Sequence, residues 1–273
     1  MPPASTTPFA LDDTSLVDSL RHPQAAAIRS LLAPSAEAGR HSILIDDEDN
    51  ILRAVDAGIT IRSVLNSDCT TFSDNLRRRL PSTARHYTVA RRTCKKLFGN
   101  DKVSRVFAVA DAPPRHSLDA LFSTGRDIVV LDGIGISGNI GAIIRTSVAM
   151  AAGGIALVNT RAADLFDRRV IRASRGLLFA LPLVTTTTEE LIDFCSRHDR
   201  PLLVTSPAGQ RSLDEIPSSQ PAAMVFGAEK SGCSRQLADA ATLRVTIPTT
   251  AAVESLNVAA AAAICLYEAA RRQ

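Results

Sequence analysis

Five side chains in the second half of the chain have the types and spacing from which group-transfer chemistry can be built. Asn139 and Arg145 lie six residues apart in Gly138-Asn139-Ile140-Gly141-Ala142-Ile143-Ile144-Arg145-Thr146. Glu229 lies in Phe226-Gly227-Ala228-Glu229-Lys230-Ser231-Gly232, directly after an apolar run. Ser255 and Asn257 lie in Glu254-Ser255-Leu256-Asn257-Val258, downstream of Ile247-Pro248 and at the head of an alanine-rich run. Each block falls where a strand gives way to a loop or helix, and open α/β sheets bind ligands at such edges. With Asn139 at a helix start, Arg145 falls nearly two turns inward, and both can approach the mouth of the sheet. Gly227 lets the backbone approach a ligand closely. Ser255 is an N-cap type, opening a final helix over 255–271, and Asn257 beside it lowers helix propensity. Each block alone has a structural explanation: an N-cap with a surface arginine, a strand-to-helix turn, a helix cap. Such explanations are much weaker for three blocks in order.

Other chemistries lack their residues. There is no Cys or Ser paired with a patterned His, no carboxylate pair in a hydrolase setting, no P-loop and no metal motif. One competing signal is real. Gly133-Ile134-Gly135-Ile136-Ser137-Gly138 matches the dinucleotide fingerprint, after a strand and before a helix. Its usual partner is an acid about 20 residues on. Asn159-Thr160-Arg161 stands there instead, which suits NAD poorly and NADP loosely. A Gly-lined, metal-free site beside basic surface fits transfer of a group from a bound cofactor to a nucleic acid.

The elements that must position these residues alternate. Ile128-Val129-Val130-Leu131-Asp132 reads as a buried strand, followed by a helix over 139–151. Short apolar strands at 155–158, 181–184, 202–205, 222–226 and 243–247 follow, separated by helices, one of them at 167–179 carrying Arg168, Arg169, Arg172 and Arg175. This implies a mostly parallel sheet with helices on both faces. The first half reads as a smaller α/β unit. Residues 14–32 have helical spacing, and strands and helices alternate from Ile43 to Val109. The expected division is an N-terminal domain at 1–112 with a loose tail at 1–13, a linker at 113–126 marked by Pro113-Pro114, and a catalytic domain at 127–273.

Net charge is only +3, but between Arg77 and Arg105 lie ten Lys or Arg residues and one acid, Asp101. They are Arg77, Arg78, Arg79, Arg85, Arg91, Arg92, Lys95, Lys96, Lys102 and Arg105. Without acids to neutralise it, this stretch is a candidate phosphate-binding face. The five cysteines are scattered, with no Cys-x-x-Cys pair, which points to reduced thiols in a cytoplasm and away from zinc. No apolar run is long enough to cross a bilayer, and Met1-Pro2-Pro3-Ala4 does not read as a signal peptide. The small side chains from Val258 to Leu266 suit close helix packing, either across a dimer interface or within one core.

The three blocks resemble those of the SpoU class of SPOUT RNA methyltransferases. Within that class the chain is most similar to the thiostrepton–nosiheptide resistance methyltransferases, from about Arg40 onward. Further similar stretches are Asp167-Arg168-Arg169 and Arg172-Ala173-Ser174-Arg175-Gly176. The resemblance implies a trefoil-knotted α/β methyltransferase domain that binds S-adenosylmethionine, works as a homodimer, and follows a ribosomal-protein-like RNA-binding domain. Carried over by position, Thr205, Gly227, Ile247, Pro248, Thr249, Leu256 and Arg175 line or adjoin the cofactor pocket. Asn139, Arg145, Glu229, Ser255 and Asn257 fall on the reaction-centre positions, with Arg145 aiding loss of the ribose proton as base or as electrostatic stabiliser. Arg77, Arg78, Arg79, Arg91, Arg92, Lys95 and Lys96 become the RNA-binding candidates. Two departures are Ala228, where Ser or Asn is usual, and Ala259, where the subfamily often has Ser. The implied reaction is ribose 2′-O-methylation of RNA, of an adenosine in the thiopeptide-binding loop of 23S rRNA. Methylation at another rRNA or tRNA site, an NADP-dependent oxidoreductase and a catalytically silent RNA-binding protein are the alternatives.

Overall fold

A computed structural model describes residues 15–33, 41–99, 104–160, 165–216 and 220–272. The tail expected at 1–13 and the pair Asp101 and Lys102 lie outside them. The chain divides into two compact units, one of residues 1–113 with 165–179, the other of 114–164 with 180–273.

The first unit is a five-stranded sheet in the order β1-β4-β3-β5-β2. Its strands are β1 (Ser15–Val17), β2 (Ser42–Asp46), β3 (Ile61–Ser67), β4 (Arg85–Val89) and β5 (Val106–Asp111), with only β5 antiparallel. Its helices are α1 (Pro23–Leu32), α2 (Glu48–Asp56), α3 (Asp74–Arg79) and α4 (Arg91–Phe98). Right-handed crossovers sort the helices by direction of travel. The steps β2 to β3 and β3 to β4 move the same way across the sheet, which places α2 and α3 on one face. The step β1 to β2 moves the opposite way and places α1 on the other face, where α4 packs beside it. There Ile28, Leu44, Leu65, Tyr87, Leu97, Phe98 and Phe107 form a common core.

Residues 15–17 depart from the helical reading. They form an edge strand, and the helix begins only at Pro23, where His22 Nδ1 accepts the Gln24 N–H at 3.2 Å. Proline at this position loses no helical hydrogen bond.

The second unit is a wholly parallel seven-stranded sheet, β10-β12-β9-β11-β6-β7-β8. Its strands are β6 (Ile128–Asp132), β7 (Gly154–Val158), β8 (Leu183–Thr185), β9 (Leu202–Thr205), β10 (Arg211–Ser212), β11 (Ala223–Gly227) and β12 (Leu243–Thr246). The helices α5 (Leu118–Phe122), α8 (Thr188–Arg197) and α9 (Arg235–Asp239) bury Leu121, Phe194 and Leu237 against one face. On the other face α10 (Val258–Arg272) packs on α6 (Ser137–Ala149). Residues 114–126 thus contribute a helix to this core, with Leu121 and Phe122 buried. Ala262 is fully buried within its own chain, while Ala260, Ile264, Tyr267 and Arg271 face outward. Counting only the six longer strands in chain order, the sheet runs 3-2-1-5-4-6. The dinucleotide fold runs 3-2-1-4-5-6, so the glycine fingerprint at 133–138 sits in a different topology.

Helix α7 (Arg168–Ala173) belongs to the first unit and lies against the edge strand β2. It is shorter than the 167–179 helix read from sequence. The chain turns left-handed at Arg175 and Gly176, with φ of 53° and 72°, and continues as a 3₁₀ turn. A Cβ at Gly176 would lie 3.1 Å from the Asn50 backbone, so a larger residue would crowd that approach. Arg168 is buried, with its guanidinium 4.4 Å from the Phe98 ring centre and its Nε hydrogen-bonded to the fully buried Asp46 carboxylate. Arg172 lies 3.8 Å from the same oxygen.

Burial pushes Asp46 up from its ordinary 3.8 to about 6, against the pull of Arg168 and Arg172. The folded state therefore binds this proton more tightly than the unfolded state does. The associated stability is present at low pH and is lost as pH rises from about 4 to about 6. Removing Arg168 raises the folded value further and carries the loss to higher pH. Arg168→Leu is expected to cost roughly 3–5 kcal/mol near neutral pH. Its melting-temperature deficit against the parent chain should be larger at pH 8 than at pH 5, as calorimetry at both values will measure.

Candidate active site

The carboxyl ends of β6, β11, β9 and β12 lie side by side, Asp132 opposite Gly227 and Thr205 opposite Val245. Helix α6 starts beside this edge and carries Asn139 in its first turn and Arg145 in its third. The loop after β11 carries Glu229. The helix-capping residue of α10 is Asn257: its Oδ1 accepts the N–H groups of Ala259 at 3.0 Å and Ala260 at 3.4 Å. Ser255 is exposed and lies before the helix, so the expectation that it opens the final helix is corrected.

The cap leaves the Asn257 amide nitrogen free to turn toward the other blocks. Asn257 Nδ2 donates to Glu229 Oε1 at 2.7 Å, and Asn139 Nδ2 donates to the same oxygen at 3.1 Å. A contact of 3.3 Å from Asn257 Nδ2 to Asn139 Oδ1 closes the triangle. Residues 90 and 118 positions apart in sequence thereby meet around one carboxylate. Arg145 is exposed and its side chain makes no hydrogen bond or ion pair among the described residues, and the same is true of the Ser255 side chain. The arrangement holds an anion between two amides and leaves a guanidinium available nearby along α6.

The residues read as cofactor-lining have individual surroundings. Thr205 ends β9 and donates its hydroxyl to Val225 O at 2.8 Å. Ile247, Pro248 and Thr249 follow β12 directly, and Leu256 precedes the cap; Ile247 and Leu256 are half-buried, while Pro248 and Thr249 are exposed. Arg175 is exposed and belongs to the first unit. Gly227 is needed for a reason other than ligand approach. A Cβ there would lie 2.2 Å from the backbone of Gly232 and Cys233, because the loop curls back on itself. Gly232 N–H donates to Ala228 O at 2.7 Å to close that loop.

The basic stretch does not form one face. α4 buries Thr93, Cys94, Leu97 and Phe98 and exposes Arg91, Arg92, Lys95 and Lys96, none with an ion-pair partner among the described residues. α3 lies across the sheet. There Arg77 sits 3.7 Å from Asp74 and 5.5 Å over Phe72, and Arg79 pairs with Asp56, leaving Arg78 exposed. Sequence proximity carries no information about which side of a sheet a helix occupies.

A parallel sheet with its polar residues gathered at the carboxyl edge defines an α/β ligand-binding unit, and comparison with known proteins defines the family. Residues 127–267 match the SpoU rRNA Methylase family, and residues 14–124 match the thiostrepton-resistance methylase N terminus. The chain belongs to the SpoU rRNA methylase family. It is 36% identical over 241 residues to a 23S rRNA (adenosine(1067)-2′-O)-methyltransferase of Streptomyces laurentii, covering 85% of this chain and 86% of that one. It is 32% identical over 260 residues to the enzyme of the same name from Streptomyces azureus, covering 92% and 95%. Among solved structures, an AdoMet-bound rRNA methyltransferase from Sinorhizobium meliloti superposes with a TM-score of 0.80 at 27% identity, covering 94% and 98%. The SpoU methyltransferase AviRb from Streptomyces viridochromogenes, in complex with AdoMet, gives 0.78 at 27% identity over 92% and 98%. The family and fold class inferred from the three blocks are thereby borne out.

Gly227→Ala should cost about 1–3 kcal/mol in chemical denaturation, as overpacking does. The added methyl has only backbone to displace, so the Glu229 loop should move and methyl transfer should fall with it.

Proposed function

We propose that this chain transfers a methyl group from S-adenosylmethionine to the ribose 2′-oxygen of an adenosine in the thiopeptide-binding loop of 23S rRNA, and so confers thiopeptide resistance in the cytoplasm. The observation that carries the reading is the joining of Asn139, Glu229 and Asn257 at the sheet edge, with the Arg145 side chain exposed on the same helix as Asn139. Two relatives that cover most of the chain bear the name of that reaction.

The residues at the edge suit the donor. Ile247 and Leu256 offer apolar side chains, and the segment 247–249 leaves backbone groups uncommitted to secondary structure. Such a lining fits a flat, neutral base and a ribose. When bound, S-adenosylmethionine supplies a methyl group on a positively charged sulfur. Thr205, Gly227, Ile247, Pro248, Thr249 and Leu256 hold and orient it in this reading. The chain's own part is positioning and electrostatics. Glu229 is fixed through Oε1 by the two amides, and no hydrogen bond engages Oε2 among the described residues. Arg145 donates from its planar guanidinium to the ribose oxygen, whose hydroxyl proton leaves to solvent water as the O–CH3 bond forms and the S–CH3 bond breaks. Ser255 lies within the same segment as Leu256 and Asn257 and serves the substrate side.

The units divide the work as RNA-binding domain and methyltransferase domain. α4 is the principal phosphate-binding face, because its four cations are exposed and have no ion-pair partner among the described residues, with Arg78 of α3 secondary. The chain works as a homodimer through the outward face of α10. Ile264 and Tyr267 are 41% and 57% exposed, and Ile136 and Val253 add further exposed apolar surface. Light scattering reads this state directly. The family's knot belongs to the same reading, with the chain after β12 drawn through to reach Asn257. Among the described residues no helix is long and apolar enough to cross a membrane, and no cluster of three metal-ligating side chains occurs.

Arg145→Ala should reduce single-turnover methyl transfer to 23S rRNA by at least about 100-fold, in line with loss of an oxyanion-type donor, while S-adenosylmethionine binding persists. Arg145→Lys should fail as well, because an ammonium does not reproduce the planar fork. Transfer at a near-normal rate by either variant would remove Arg145 from the chemistry. Reversing charge at Arg91, Arg92, Lys95 and Lys96 should weaken RNA binding and flatten its dependence on salt. The same four changes on a chain whose salt slope stays constant would mean that α4 is only a solvated surface.

A further inference from the structure

The loop that carries Glu229 is fastened at both ends. At its start, Gly227 admits the returning backbone of Gly232 and Cys233, and Ala228 pairs with Gly232 in an isolated antiparallel bridge. At its end, Cys233 Sγ lies 3.8 Å from Thr205 O, and the Ser234 N–H points inward. The group it meets is Asp132, whose Oδ2 accepts that N–H at 2.5 Å. Asp132 Oδ1 accepts Asn159 Nδ2 at 2.6 Å, and Asn159 also reaches Thr188 Oγ1 at 3.3 Å. Asn159 adopts φ of 55°, a conformation that asparagine tolerates better than most residues. Asp132 is only 3% exposed, so it does not meet a large substrate directly. A buried carboxylate needs hydrogen-bond donors, and here its donors come from two places. They are Asn159 at the end of β7, which also reaches Thr188 at the start of α8, and the exit of the Glu229 loop.

We infer that Asp132 is a positioning residue, which holds the loop after β11 so that Glu229 meets Asn139 and Asn257. The inference rests on the methyl-transfer reading of that cluster. Asp132 and Gly227 are register partners at the last position of their strands. One carboxylate therefore ties the exit of the loop to the same strand end from which the Gly133–Ile136 segment leads into α6 and Asn139. Losing it frees Ser234 and lets Glu229 drift from the two amides. A misplacement on the order of 1 Å is enough to slow such chemistry about 100-fold.

The test is a double-mutant cycle with an independent structural readout. Asp132→Ala should slow single-turnover transfer roughly 10- to 100-fold, with RNA affinity unchanged within about twofold. Asp132→Asn, which keeps an oxygen for the Ser234 N–H, should recover most of the rate. In a Glu229→Ala background, Asp132→Ala should cost almost nothing more, because the group it positions is gone. Losses that multiply, or an Asp132→Ala rate equal to the parent, would overturn the inference. Should Asp132→Ala fail to fold, Ser234→Pro cuts the same bond from the other side, at φ of −59° that proline adopts, and is judged by the same two criteria. The side-chain amide resonances of Asn139 and Asn257 report the placement of Glu229 without any turnover. If the parent chain methylates no RNA, the functional reading fails, and these resonances still decide the inference. They should shift in Asp132→Ala, and unshifted resonances would overturn it.

Discussion

The two ends of one amide, that of Asn257, connect the fold to the chemistry. Its oxygen accepts the free N–H groups at the start of α10 and its nitrogen grips Glu229. Were the cap a serine, the helix would start equally well, but the carboxylate would lose its 2.7 Å donor and keep only Asn139. Because α10 packs on α6, which carries Asn139, the helix pair sets where two of the three amide and carboxylate groups can be. The remaining one is placed by β11. The candidate site is thus a consequence of how one helix begins.

Much of this was legible because parallel strands buried on both faces read as unbroken apolar runs. Ile128–Asp132 and Ala223–Gly227 announce themselves in this way, and polar residues directly after such runs mark the ligand edge. The three blocks were therefore found, though not their meeting around Glu229 Oε1, which depends on long-range register. Short or amphipathic elements were harder. β1 has three residues, two of them exposed, and β10 has two, so neither offers a pattern to detect. The Pro113-Pro114 pair suggested a linker, whereas Leu121 and Phe122 a few residues on are buried in a core.

Buried acids leave the weakest trace in the sequence. Asp132 looks like the ordinary end of a strand, and Asp46 likewise ends β2, yet both are buried and engaged. A single buried charge leaves no periodic signature, and the partner of Asp46 lies 122 positions away. The arginines at 77–79 and 91–92 looked like one surface because sequence order suppresses the question of sides. Once the crossovers are right-handed, α3 and α4 must part company.

The excursion of residues 165–179 bears on how such a protein could be recombined. The segment leaves the methyltransferase half, lies against β2 in the N-terminal unit and returns. The two halves are therefore not beads on a string. A graft that exchanged residues 1–112 for another module would strand Arg168 and Arg172 without Asp46, and would bare the side of α7 that now lies against β2. Any transplant has to carry both pieces or redesign the seam.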